Sequence, residues 1–268
     1  MKSVSLTIND STSLERAWND LETVGFTPLY SSEDPSGSNE IIAHVPPDFD
    51  ILVMPFAYIK EMHPIDLSII DWESQWAEHG SDYHDGYVHV HLEEFGPQFS
   101  QVLKLEPGPG FGDLSHPTTA LVLKMMATEV PEQDVVDIGC GSGILALAAV
   151  AMGAKTVYGI DIDPQAIEHS QNNALINQME GQVRFGFAQD YQPKKGPILI
   201  AMNMISSEQK EAWKSLPQMH GIVGKCLISG ILAEDREAYL EQTKQWGWIL
   251  LNEIEQDGWL GLLFLRSL

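Results

Sequence analysis

The chain has 268 residues, 44% of them hydrophobic, and carries 38 acidic but only 15 basic side chains, so its formal net charge is −23. This length suffices for one large domain or two, and the negative charge argues against nucleic acids and anionic membranes as partners and favours basic ones. The sequence contains neither a signal peptide nor an apolar run of about 18 residues. We therefore expect a cytoplasmic protein whose two cysteines are buried and reduced.

The first 70 residues predict a small α+β domain. Alternating apolar and polar residues indicate strands at 4–8, 26–30 and 41–45. An apolar face at helical spacing begins at Leu14, and Gly25 ends the helix. This β-α-β-β order is typical of ferredoxin-like domains. We interpret residues 1–70 as a substrate-recognition domain, with a plain scaffold as the alternative, and the apolar run 49–59 could be helix or strand.

Residues 71–106 are predicted to be a linker made of a short helix, 71–79, and connecting strands. The alternating segment 87–92 is typical of a strand and places His89 and His91 on one face. A metal site there is conceivable, but no motif supplies a third ligand. We therefore favour ordinary exposed histidines and predict no metal site.

A Gly/Pro-rich loop, residues 107–119, leads into the next predicted helix. Ser115 is expected as the N-cap of this helix, with Pro117 in its first turn. A loop that meets a helix N-terminus in this way is typical of a ligand lid, although it could be only a domain connector.

The most informative stretch is residues 135–147, where an apolar strand meets a helix through a glycine-rich turn. Gly139, Gly141 and Gly143 occupy alternate positions of this turn. Such a turn lets backbone N–H groups face a ligand without obstruction by Cβ atoms. On its own the turn is a weak indicator, because several dinucleotide-binding folds use similar turns.

Two aspartates make the ligand more specific. Asp161 ends the next predicted strand, about 20 residues after the glycines, where a carboxylate can hold both hydroxyl groups of a ribose. Asp137, just before the first glycine, is not part of the usual NAD pattern and fits a ligand with an ammonium group. A ribose and an amino acid together indicate S-adenosylmethionine as the cofactor. A glycine turn in another kind of α/β domain is the less favoured alternative.

The rest of the chain alternates helices and strands and closes with two strands, 248–254 and 259–265, without a helix between them. This hairpin distinguishes a methyltransferase sheet from an NAD-binding sheet. We therefore predict an α/β fold, in which residues 107–268 form a methyltransferase domain with a Rossmann-like seven-stranded sheet and a C-terminal antiparallel hairpin.

Four stretches resemble the PrmA family, class I S-adenosylmethionine-dependent methyltransferases that modify the eleventh protein of the large ribosomal subunit. They are residues 71–79, residues 107–119 (similar to the family's loop PGxxFGTGxHPTT), residues 137–144 with 159–164, and residues 229–232. The resemblance implies cofactor contacts from Thr119, Gly139, Asp161 and Asn203. The chain departs from the family pattern at 112–114, at Ile198 and at 204–206.

The sequence thus predicts seven cofactor-binding residues: Thr119, Asp137, Gly139, Gly141, Gly143, Asp161 and Asn203. No carboxylate, histidine or cysteine is indicated as a dedicated base, so the catalytic residue is unknown. Asn203 could accept a hydrogen bond from a substrate amine and orient its lone pair, or it could only contact the cofactor.

Three functional hypotheses follow. The first is a monomeric enzyme that methylates lysine side chains or the N-terminal amine of that basic ribosomal protein. The second is a class I methyltransferase that acts on another protein or on a small-molecule amine. The third is a cofactor-binding partner module with reduced activity. RNA is disfavoured as a substrate, because the net charge is −23 and the predicted fourth strand of the methyltransferase sheet lacks an NPPY-type tetrapeptide.

Overall fold

The computed structural model describes residues 3–9, 11–33, 39–46, 49, 53–65, 82–108, 112 and 116–267. The chain divides into two compact units, Met1–Asp71 and Trp72–Leu268. The predicted helix at 71–79 and the predicted cap Ser115 lie outside the described residues. Within the described part of the chain, no helix is long and apolar enough to cross a membrane.

The described residues of the first unit form one helix and a four-stranded antiparallel sheet. In chain order its elements are β1 (Ser3–Ile8), α1 (Leu14–Thr23), β2 (Thr27–Glu33), β3 (Asn39–His44) and β4 (Ile59–Ile65). The strand order β2-β3-β1-β4 and the antiparallel pairing are those of a ferredoxin-like sheet. Ala17 and Leu21 of α1 are buried in the same core as the inner side chains of β1. Of the run 49–59, which the sequence left open, the described residues are turns and bends as far as Tyr58, and β4 begins at Ile59.

A three-stranded antiparallel sheet opens the second unit: β5 (Tyr83–His84), β6 (Tyr87–His91) and β7 (Val102–Leu105). Its apolar side chains, among them Val88, Val90 and Leu103, are buried in one cluster with residues of the helices that follow. The sequence analysis had separated these strands as part of a linker. They instead lie inside the second unit, because their apolar face needs the neighbouring helices to be buried.

One histidine of this sheet, His89, is buried, whereas His84 is exposed. His89 is 7% exposed and stacks on His84, with 3.7 Å between the ring centroids. His91 and His84 both contact the carboxylate of Asp82, at 2.9 and 3.2 Å. Among the described residues, no group of three potential ligands is placed to hold a metal ion.

The main sheet of the second unit has seven strands in the order β10-β9-β8-β11-β12-β14-β13. β14 runs antiparallel to the other six strands, so the predicted Rossmann-like sheet with a closing hairpin is confirmed. The strands are β8 (Asp134–Ile138), β9 (Thr156–Ile160), β10 (Val183–Gly186), β11 (Ile198–Asn203), β12 (Gly224–Leu232), β13 (Trp248–Gln256) and β14 (Trp259–Arg266).

In the part of the chain that the structure describes, five α-helices accompany this sheet: α2 (Pro117–Glu129), α3 (Ile144–Ala151), α4 (Pro164–Ile176), α5 (Ser206–Ser215) and α6 (Arg236–Gln245). They bury apolar side chains in two clusters, one on each face of the sheet. From β8 the chain runs outward through β9 to β10 and then crosses back to β11 on the other side of β8. The order reverses between β8 and β11, and in such sheets ligands bind in the crevice outside the carboxyl ends of the strands at this point.

Candidate active site

The glycine turn that follows β8 has the backbone that the sequence predicted. Gly139, Gly141 and Gly143 have φ angles of 73°, 52° and 84°, which residues other than glycine rarely adopt. A Cβ atom on Gly139 would collide with Cε of Met204, and one on Gly143 would lie 2.9 Å from Cβ of Ser170. The first glycine therefore permits a close approach from the β11 side, and the third permits tight packing against α4.

The backbone donors of this turn have partners within the protein. The N–H of Gly139 donates to the carbonyl oxygen of Ile160 at 2.8 Å, and that of Gly143 donates to Cys140 at 2.7 Å. The N–H of Gly141 donates to Oδ2 of Asp161 at 3.0 Å. The turn is thus held to the end of β9, and the side chain of Asp161 is part of what holds it.

Asp161 lies at the carboxyl end of β9 and accepts three backbone hydrogen bonds. Besides Gly141, the N–H groups of Ile162 and Asp163 donate to its Oδ1 atom, at 2.7 and 3.0 Å. Partial burial raises the pKa of this carboxyl, although the three donors act in the opposite direction. Two carboxylate oxygens offer about four acceptor positions, so there is capacity for a hydroxyl donor as well.

A cavity of about 570 Å³ adjoins Asp161. Ile162, Phe187 and Ala188 supply apolar surface to it, and Gln189 and Gln218 supply polar groups. Ile162, at the edge of the cavity, is 87% exposed. An apolar wall with a few polar groups next to a carboxylate suits a flat heterocycle joined to a ribose.

Asp137 is almost completely buried beneath the turn, at 1% exposure. Its Oδ2 atom accepts the N–H of Ala146, the third residue of α3, at 3.1 Å. The cap of this helix is Gly143, which has no side chain, so Asp137 supplies the acceptor that a capping side chain normally provides. Its Oδ1 atom has no hydrogen-bond partner among the described residues.

The acids of this region favour a cation. Burial, with a smaller contribution from the charge of Asp161, raises the pKa of Asp137 to about 7, against the opposing effect of the Ala146 N–H. Desolvation, followed by the charge of Asp161, also raises the pKa of Glu208 in the first turn of α5. A positive group that entered between these acids would stabilise their ionised forms.

Two predicted residues that lie 84 positions apart in the chain contact each other. Asn203, at the carboxyl end of β11, donates from Nδ2 to Oγ1 of Thr119, which is fully buried in the first turn of α2. The N-cap of α2 is His116 rather than the expected Ser115: its Nδ1 atom accepts the N–H of Thr118, and Pro117 follows at the first helical position. The imidazole acceptor at this position replaces a hydroxyl, which is why a search for serine missed it.

The sequence analysis also missed a buried polar group behind Asn203. Gln209 of α5 is fully buried and donates from Nε2 to the carbonyl oxygens of Met204 and Ser229, at 2.6 and 3.0 Å. The hydroxyl of Tyr239 donates to its Oε1 atom. Gly230, with a φ of 87°, lies so close to the Met204 carbonyl that a Cβ atom would collide with it. The sequence could have indicated this buried group, because Gln209 lies four residues before the apolar Trp213 and therefore on the same face of the helix.

The comparisons with known proteins agree with this geometry. The family model for ribosomal protein L11 methyltransferase (PrmA) matches residues 59–267. The ribosomal protein L11 methyltransferase of Pasteurella multocida is 29% identical over 253 residues, which cover 89% of this chain and 85% of that protein. The protein of the same name from Glaesserella parasuis is 30% identical over 261 residues, covering 93% and 88%.

One solved structure is similar in both sequence and fold. The crystal structure of ribosomal protein L11 methylase from Lactobacillus delbrueckii subsp. bulgaricus superposes with a TM-score of 0.54 and 25% identity. The match covers 63% of this chain and 86% of that one.

Proposed function

We propose that this chain, which belongs to the ribosomal protein L11 methyltransferase (PrmA) family, transfers methyl groups from S-adenosylmethionine to lysine side chains or the N-terminal amine of ribosomal protein L11. The observation that carries the proposal is the meeting of the glycine turn, Asp161 and the Thr119–Asn203 pair at the point where the strand order reverses. Asp161 and Asn203 come from the ends of separate strands, and the remote helix residue Thr119 joins Asn203 there.

The residues of this region fit the cofactor. Asp161 is placed to hold a ribose, and the adjoining apolar cavity suits an adenine. Asp137 has a buried carboxylate oxygen without a partner among the described residues, which suits an ammonium donor. Gly139 allows a ligand to approach the backbone closely. When bound, S-adenosylmethionine supplies an activated methyl group together with its leaving group, so the protein need not protonate one.

The protein's own task is to align and desolvate the amine. Since Nδ2 of Asn203 donates to Thr119, Oδ1 is the end of the amide that can accept a hydrogen bond from the substrate. This contact would point the nitrogen lone pair in a fixed direction. A lysine has an ordinary pKa of about 10.4 and must lose its proton first, which desolvation favours. The lysine proton passes to solvent, and no side chain of the protein acts as the base.

We assign the recognition of L11 to residues 1–70 and the transfer to residues 107–268. The seven predicted cofactor residues all lie in the second unit. The net charge of −23 suits a basic protein substrate and disfavours direct contact with nucleic acid. We expect the enzyme to act as a monomer.

The test is transfer of isotope-labelled methyl groups to purified L11, followed by mass spectrometry of the product. We expect label on lysine or N-terminal amines, and much less of it with the Asp161→Asn variant. If the protein bound S-adenosylmethionine but labelled another amine and left L11 unmodified, the substrate assignment would be wrong. If the protein bound S-adenosylmethionine but transferred no methyl group to any amine, it would be a cofactor-binding partner module and not an active enzyme.

A further inference from the structure

Helix α4 pairs with strand β7 through its side chains as though it were a neighbouring strand. Asn177 accepts the Lys104 N–H at Oδ1 and donates from Nδ2 to the Lys104 carbonyl oxygen, at 2.9 and 2.7 Å. Glu106 directly follows β7, and its N–H donates to Oδ1 of Asn173 at 2.8 Å. Nε2 of His169 donates to the Glu106 carbonyl oxygen, also at 2.8 Å.

The pairing works because two spacings nearly coincide. Side chains four positions apart on a helix are separated by about 6 Å along its axis, and alternate residues of a strand by about 6.8 Å. The residues at 169, 173 and 177 therefore meet backbone groups at 104 and 106 on the edge of β7 that does not face β6. Edge groups that another strand would otherwise pair with are thus satisfied by a helix.

Asn173 also has a hydrogen bond to the glycine turn. Its Nδ2 atom donates to the carbonyl oxygen of Ser142, inside the glycine turn, at 2.8 Å. The Ser142 hydroxyl donates in turn to the carbonyl oxygen of Gly112, at 3.1 Å. Asn173 and Ser142 are both fully buried. One amide therefore connects the glycine turn to Glu106, and one hydroxyl connects the same turn to Gly112.

The chain just after Glu106 also lies tightly against α4. A Cβ atom on Gly108 would lie 2.6 Å from Nε2 of His169. Burial lowers the pKa of His169, so the ring is neutral near pH 7 and carries its proton on the nitrogen that donates to Glu106.

We propose that Asn173 is a positioning residue for the cofactor site, fixing the glycine turn relative to Glu106, which directly follows β7. The inference rests on the proposed function, because it assumes that the ligand of this turn is S-adenosylmethionine. Removing the Nδ2 donor leaves the Ser142 carbonyl buried without this partner, so the turn is held less firmly on the side of α4. Ligand binding must then order the turn as well as contact it.

The test compares Asn173→Asp with Asn177→Asp. Both replace an amide by a carboxylate of the same shape and lose the Nδ2 donor, but only the first loses a contact to the glycine turn. By calorimetry we expect Asn173→Asp to bind S-adenosylmethionine about tenfold more weakly, and Asn177→Asp to stay within about twofold of the unmodified protein. An equal loss of affinity in both variants would overturn the proposal.

Amide hydrogen exchange gives a readout that needs no ligand. We expect the amides of Gly141 and Gly143 to exchange about tenfold faster in Asn173→Asp and at the unmodified rate in Asn177→Asp. If the unmodified protein does not bind S-adenosylmethionine, the proposed function fails, whereas the exchange comparison still decides the positioning role. If Asn173→Asp does not fold, Asn173→Ala, which also removes the Nδ2 donor, is compared with Asn177→Ala. Binding about tenfold weaker in the first variant alone supports the proposal, and equal affinities of the two variants overturn it.

Discussion

Asp137 has two roles that the sequence could not separate. The sequence predicted an ammonium contact from its place before the glycines, but the structure also shows it as the acceptor for the first turn of α3. A carboxylate in this position interacts favourably with the helix dipole, yet its burial disfavours the charge. The helix cap is hidden in the sequence because the capping acceptor lies six residues before the cap position itself.

The raised pKa of Asp137 predicts a pH dependence of stability. Its pKa of about 7 in the folded protein lies above the ordinary value of 3.8 for an aspartate, so the folded state binds more protons between these values. The free energy of unfolding should therefore fall as pH rises from about 4 to about 7, by at most about 1.4 kcal/mol per pH unit from this group. Asp137→Asn keeps an acceptor for Ala146 and should remove this slope.

Urea denaturation at several pH values measures this effect. The control is Glu180→Gln, which removes an exposed charge on the same unit. Identical slopes for Asp137→Asn and the unmodified protein would show that Asp137 is not the titrating group.

Asp161 should contribute more to ligand binding than its neighbour Asp163. Asp161→Asn keeps an oxygen for the backbone donors but loses the charge-assisted contact to a ribose, which should cost about 1.5–3 kcal/mol of binding free energy. Asp163 caps α4 by accepting the Gln165 N–H at 2.9 Å and has no contact with the glycine turn among its hydrogen bonds. Calorimetry with S-adenosylmethionine should show a clear loss for Asp161→Asn and little change for Asp163→Asn, and equal affinities would remove the ribose assignment.

The end of β11 is held by elements that follow it in the chain. Gln209 of α5 connects the Met204 carbonyl to the Ser229 carbonyl of β12, and Tyr239 of α6 supports its amide. We expect Gln209→Met to lower the free energy of unfolding by about 2–4 kcal/mol, because buried partners lose their hydrogen bonds. Tyr239→Phe, which removes one hydroxyl, should cost about 1 kcal/mol.

Chemical denaturation measures both changes. The larger loss should come from Gln209, and the reverse order would mean that Tyr239 has another buried partner. Activity at saturating substrate adds a second readout, since a displaced Met204 carbonyl would also displace Asn203.

The elements were predictable where one local pattern determines them. The alternate glycines and the acid after β9 mark the turn and the ligand edge, and the helix-free hairpin marks the fold class. The contact from Asn203 to Thr119 joins elements 84 residues apart, and no periodicity contains that information. The resemblance to a family indicated Thr119 and Asn203 as two separate cofactor contacts.

Strands β5 to β7 show the opposite case. Their sequence is typical of half-buried strands, but a pattern of apolar positions reveals a buried face without revealing what covers it. The prediction of a linker therefore rested on the pattern of these strands alone, without the helices that bury their apolar face. The polar residues of α4 were missed as partners of β7 for the same reason, since asparagine on a helix is more often exposed.

For the molecule as a whole, the division into two units predicts separable functions. A chain that starts near residue 80 keeps the seven predicted cofactor residues and should bind S-adenosylmethionine with unchanged affinity. It should fail to methylate L11, because residues 1–70 are assigned to its recognition. Cofactor affinity measured on the same preparation shows whether the shortened chain is folded. Full methylation of L11 by it would contradict the recognition role.

The net charge predicts how the enzyme meets its substrate. A chain with 38 acidic and 15 basic side chains should attract a basic protein, and salt screens this attraction within about 8–10 Å. We expect the methylation rate at limiting L11 to fall as salt rises, while the rate at saturating L11 changes little. A limiting rate that is flat between low and physiological salt would mean that the acidity serves solubility.

The thioether of Met204 covers the very glycine at which a ligand must come closest to the backbone. Any ligand that uses this approach has to displace the terminal methyl group, and it then exchanges one apolar contact for another. Binding therefore buries less additional apolar surface than the size of the ligand suggests, because Met204 already covers the glycine in the free protein. Because the heat-capacity change of binding follows that surface, it should be small for S-adenosylmethionine here, and the enthalpy of binding should vary little with temperature.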